Sequence, residues 1–135
     1  MLNANQVMTL LIGSKESSDN ILLPYFRVDN EWVDSAAWGG VIRFTNYKRE
    51  YYQRDQVYDY DVFNIQSIGV IEFYTTNKYV YDLYKRRLLN FGFKYIGKGT
   101  GENRYLYQNH LMKTYKNTSP TGDIVYCFQI YKDLD

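Results

Sequence analysis

The chain has 135 residues, 45% of them hydrophobic and 23% charged, with sixteen basic side chains against fifteen acidic ones. That length fits one domain with a core of its own, and the supply of aromatic and β-branched residues excludes a disordered chain. A single cysteine, Cys127, excludes an internal disulfide, and no run of about 20 apolar residues is present to span a membrane.

In chain order, residues 5–13 read as a short helix or strand, with Val7, Leu10 and Leu11 at helical spacing and Asn5 as a possible cap. Residues 13–20 are a polar loop. Residues 21–28 read as a strand that Pro24 confines to an edge or a bulge. Asp29-Asn30-Glu31 is a turn signal, and residues 32–40, which hold Trp32 and Trp38, have no clean period and read as a loop. Residues 41–47 form a strand, and 46–50 turn the chain. Residues 56–63 alternate, with Tyr58, Tyr60 and Val62 on one side and Asp59 and Asp61 on the other, a strand with one wet face. Residues 65–74 are apolar on both sides and read as a central strand. The clearest helix runs over 77–91: Thr76 or Asn77 caps it, Val80, Leu83, Tyr84, Leu88 and Phe91 make its stripe, Lys85, Arg86 and Arg87 suit its C-terminal end, and Gly92 follows it. Strands are expected at 93–96, 104–109, 111–117 and 123–132, the last alternating cleanly about Cys127. The fold class is therefore α+β: one domain over 1–135, with a twisted, mostly antiparallel sheet of six to eight strands and the 77–91 helix on one face. Each half reads as a helix followed by four strands.

Sixteen tyrosines set the functional reading. A tyrosine ring packs on its face and hydrogen-bonds at its tip, and sixteen of them exceed what so small a core can hold. Some must line a half-wet sheet face or a contact surface. Trp32, Trp38, Tyr47, Tyr51 and Tyr52 are the first candidate contacts, because aromatic side chains anchor interfaces, and eleven asparagines add paratope-like adaptability. The leading expectation is a binding protein of the inhibitor, immunity or accessory type, without catalysis, cofactor or metal, recognising a protein or other macromolecule. A small bacterial protein would fit, soluble in the cytoplasm, or in the periplasm if a signal peptide has been removed.

Charge supplies the first rival. Residues 1–75 carry six basic and ten acidic side chains, and residues 76–135 carry ten and five. Arg86, Arg87, Lys94, Tyr95, Arg104, Tyr105 and Tyr107 interleave cations with rings, the pattern by which single-stranded nucleic acid is bound. The second rival is acid–base hydrolysis using Glu72, an acid inside an apolar strand; its bland counterpart is a solvent-facing or ion-paired carboxylate. Other motifs fall short. Gly97-Lys98-Gly99-Thr100-Gly101 precedes a strand, whereas a phosphate cradle must open a helix, so it reads as a hairpin loop. Asp55, Asp59 and Asp61 lack the glycine and terminal glutamate of a calcium loop. One histidine, His110, cannot build a multi-histidine zinc site, and Cys127 reads as a small buried hydrophobe.

Overall fold

The computed structural model describes residues 1–12, 15–33, 40–51, 56–66, 69–118 and 122–132. Three helices, α1 (Ala4–Thr9), α2 (Lys15–Leu22) and α3 (Lys78–Phe91), accompany eight strands: β1 (Arg27–Val33), β2 (Gly40–Tyr51), β3 (Gln56–Gln66), β4 (Val70–Thr75), β5 (Lys94–Gly99), β6 (Glu102–Tyr107), β7 (His110–Thr118) and β8 (Ile124–Tyr131). The strands form one antiparallel sheet in the order β1-β2-β3-β4-β8-β7-β6-β5. Each half of the chain is helix followed by a four-stranded meander. The two meanders join along a single seam, β4 against β8.

The helices fasten to one face of this sheet. α1 begins with a capping box, in which Asn3 accepts from the Gln6 amide and Gln6 accepts from the Asn3 amide. Val7 then points into the core beside Leu2, Leu10 and Leu11. On α3, Tyr81, Tyr84 and Leu88 recur at three- and four-residue steps and are the buried row. The Tyr84 hydroxyl accepts from the Leu2 amide at 3.1 Å, and Arg87 donates to the Leu2 carbonyl at 2.6 Å. Arg87 thus pins the N-terminal segment to α3; the last turn of the helix carries no basic residue, contrary to the dipole role expected for it.

Asn77 caps α3 by accepting from the amides of Tyr79 and Val80. Asn77→Ala is expected to lower the unfolding free energy by about 1 kcal/mol, measured by chemical denaturation; an unchanged midpoint would refute that cap's contribution. At the other end Gly92 has φ 143°, and a Cβ there would sit 2.7 Å from the Tyr107 ring. The chain can leave the helix only through glycine.

Beneath the helices lies an aromatic core. Phe44, Phe63, Phe73 and Phe128 stand side by side across β2, β3, β4 and β8 by register. Phe73 meets Phe63 at 4.6 Å, Tyr84 at 4.8 Å and Phe128 at 5.2 Å between ring centroids. Ile42, Ile65, Ile71, Ile130, Met112 and Tyr105 continue this face toward both edges.

Several local expectations are corrected. The polar segment expected as a loop forms α2, because Ser18 and Leu22 turn to one side and are buried together. The expected strand over 21–28 divides instead between the end of α2 and the start of β1. Trp32 and the expected turn at 29–31 belong to β1, and the expected turn at 46–50 lies within β2. The expected strand over 65–74 is broken by Gly69, whose φ is 81°. Asp61 was expected on a wet face. It is buried on the helix side, where it accepts from the Thr75 hydroxyl at 2.6 Å.

Candidate binding face

Among the described residues, no helix covers the opposite face of the sheet. Register aligns its side chains in rows that cross the strands. The central row is polar throughout: Arg43 of β2, Asn64 of β3, Glu72 of β4, Gln129 of β8, Lys113 of β7 and Arg104 of β6. On one side of it run Thr45, Val62, Tyr74, Cys127 and Tyr115. On the other side run Val41, Gln66, Val70, Tyr131, Leu111 and Leu106.

The polar row is bonded internally. Arg43 donates to Asn64 at 3.3 Å, and Asn64 donates to Glu72 at 3.2 Å. Gln129 and the Tyr115 hydroxyl donate to the other Glu72 oxygen at 2.5 and 2.9 Å. Tyr131 donates to Gln129 at 2.8 Å. Lys113 stands 5.2 Å over the Tyr131 ring and 3.8 Å from Glu102, which also holds Arg104 at 2.8 Å. Glu72 is therefore the sink of a directed chain of donors. Among the described residues it is hydrogen-bonded rather than turned alone to solvent, and it has no ion-pair partner there. Its three hydrogen-bond partners are amides and a phenol.

Burial and, after it, this carboxylate set the ionisation of its neighbours. Burial, then the charge of Glu72, raises the Tyr115 phenol well above its ordinary range. The same two causes push the Cys127 thiol up to about 12 and raise Tyr131. Near neutrality the phenols remain hydrogen-bond donors, and Cys127 remains a thiol, a weak nucleophile. The arrangement offers a fixed pattern of donors and acceptors between two rows of rings and aliphatic groups.

The tyrosines sort by position. Of the twelve whose side chains are described, Tyr81, Tyr84 and Tyr105 are buried and Tyr25, Tyr79 and Tyr95 are exposed. The other six are half-buried, four of them (Tyr60, Tyr74, Tyr115 and Tyr131) on the helix-free face. Tyr60 and Tyr74 meet edge to face at 6.0 Å.

The residues singled out from sequence are placed unevenly. For Trp32, Tyr47 and Tyr51 the backbone alone is described: register sets Trp32 opposite Val41, Tyr47 opposite Tyr60 and Tyr51 opposite Gln56. Trp38 and Tyr52 lie outside the described residues. The basic and aromatic set does not share one surface. Lys94 and Arg104 belong to rows of the helix-free face, whereas Tyr95, Tyr105 and Tyr107 lie on the helix side and Arg86 and Arg87 on α3. Tyr105 is buried beneath Lys85, and Tyr107 packs on Phe91, Phe93 and His110. His110 is the first residue of β7. Asn64 and Gln129 were missed as site residues, since only cross-strand register joins them to Glu72.

No known family model, curated protein or solved structure matches the chain, so its function is argued from its own residues.

Proposed function

We propose that this is a recognition protein that acts by binding rather than by catalysis, and that its helix-free sheet face is the contact surface. The partner is a macromolecule, most simply another protein, as for an inhibitor, immunity or accessory protein. One observation carries this reading: from Arg43 to Gln129 the polar row is hydrogen-bonded within itself, its remaining cations Lys113 and Arg104 are held by Glu102, and half-buried tyrosines flank it. A surface whose polar groups are already oriented loses little freedom when a partner docks. Tyrosine and arginine, the side chains that concentrate binding energy at interfaces, both belong to this face. Pairing within the row also limits the desolvation cost that isolated charges would bring.

The test needs a partner captured by the immobilised protein and then measured quantitatively. Tyr131→Ala and Lys113→Ala are expected to weaken its affinity by about tenfold or more each, the loss of a central contact. Tyr79→Ala, on the exposed surface of α3, is expected to leave it unchanged. The reverse pattern would place the interface on the helices and end the proposal.

A further inference from the structure

On the opposite side of the molecule, the first turns of α3, the β5–β6 hairpin and the ends of β7 and β8 enclose a cleft of about 570 Å³. That volume is within the range of small-ligand sites, about 300–1,000 Å³. Tyr81 and Tyr126 line it, their rings 5.5 Å apart, and the Tyr81 hydroxyl is hydrogen-bonded with Thr114. Four lysines and two acids surround these rings. Both acids are already paired: Asp82 with Lys78, within the cleft, at 2.8 Å, and Glu102 with Arg104 and Lys113. Lys85, Lys98 and Lys116 remain, and among the described residues none of the three has an ion-pair partner.

Two of these ammonium groups are steadied by rings. Lys85 lies 5.7 Å over Tyr105, and Lys116 lies 5.7 Å over Tyr126. The third is carried by the glycine hairpin. Gly97 and Gly101 both have positive φ, and a Cβ at either would meet nothing within 4 Å. Three lysines that line one cleft, with no ion-pair partner among the described residues, can hold a compact anion by direct ammonium–oxygen contacts, each lysine acting as a point charge with three donors. A single carboxylate would leave most of that charge uncompensated.

We propose that this cleft binds a diphosphate group, with Lys85, Lys98 and Lys116 as its ligands. The group could be inorganic or part of a nucleotide, and two probes separate these sources: pyrophosphate and ADP, measured by titration calorimetry at low and raised ionic strength. One-to-one binding of pyrophosphate is expected, weakening with salt. Lys98→Gln and Lys116→Gln are each expected to reduce it about tenfold, the loss of one charge-assisted hydrogen bond. Both lysines are exposed, so the variants should fold as the parent does, checked by circular dichroism. Lys132→Gln, outside the cleft, should bind as the parent does. ADP binding more tightly than pyrophosphate would identify a nucleotide site, and equal affinity an inorganic one. Failure of both probes to bind, or binding that survives both substitutions, would overturn the proposal.

Discussion

Phe73→Ala is expected to lower the unfolding free energy by about 3–5 kcal/mol, the usual cost of emptying a buried phenylalanine site. The argument is geometric. Phe73 is fully buried on β4, and its ring touches rings from three other elements: Phe63 of β3, Phe128 of β8 and Tyr84 of α3. Those neighbours are themselves packed, so they cannot collapse into the vacated space, and the cavity term adds to the lost transfer energy. Domains of this size have about 7–20 kcal/mol in all, so the variant should melt roughly 10–20 °C lower. It also stands at the seam between the two meanders, where loss of packing separates the halves as well as hollowing the core. Thermal unfolding followed by circular dichroism checks this, with Tyr79→Ala on the exposed side of α3 as the comparison. Equal melting points for the two variants would mean that the ring cluster is not what joins the halves.

Stability is also expected to collapse in alkali, in a defined window. Burial pushes the Tyr84 phenol up from 10.0 to about 12, and burial followed by the Glu72 charge pushes the Cys127 thiol up from 9.0 to about 12. In the unfolded chain both groups ionise at their ordinary values. Below pH 9 neither state is ionised, and the full stability is present. Between the unfolded and folded values the unfolded chain loses its protons first. The native state binds more protons there, and stability falls as pH rises. Each pH unit in the window is worth about 1.4 kcal/mol per group, so the two together should cost about 4 kcal/mol by about pH 11. Burial raises Tyr60, Tyr74, Tyr81, Tyr115 and Tyr131 as well, and these steepen the fall. Denaturant titrations across the alkaline range should show a plateau to about pH 9 followed by a steady decline. Cys127→Val should delay the onset of that decline toward the tyrosine range. A flat profile would mean that these groups ionise as readily in the native protein as in the unfolded one.

Much of the fold was legible because some segments satisfy several local rules together. The 77–91 helix has a cap, an apolar stripe and a terminal glycine in agreement, and β8 alternates over its whole length. The α+β class and the helix-plus-four-strand order of the second half follow from those signals. Errors arose where two rules conflicted. In α2, serines and charges concealed the pair Ser18 and Leu22, and Pro24 made the adjacent Ile21 and Leu22 resemble an edge strand when it marks the helix's end. In β3 the period of two was read correctly, but the faces were exchanged. A charged Asp61 looked wet, while its bond to Thr75 lets it sit under the helices and leaves Tyr60 on the other side. The candidate face was half legible. Tyrosine excess implied a ring-lined sheet surface, and Glu72 was recognisable as unusual. The row that gives Glu72 its partners draws one residue from each of six strands, and separations of eight to fifty-seven residues leave no local pattern.

The seam at β4 and β8 has a consequence for how the molecule avoids its own copies. Joining two meanders back to back leaves, among the described residues, β1 and β5 as the strands with unpaired margins. A long flat margin would template further chains into a growing fibre. β5 is short, its pairing slips at a bulge between Tyr95 and Gly97, and Lys94 and Lys98 project from it. A kinked, positively charged border repels a second identical border instead of zipping to it. That protection lets the sheet keep a helix-free, ring-lined surface, as seen among the described residues, without polymerising through its side.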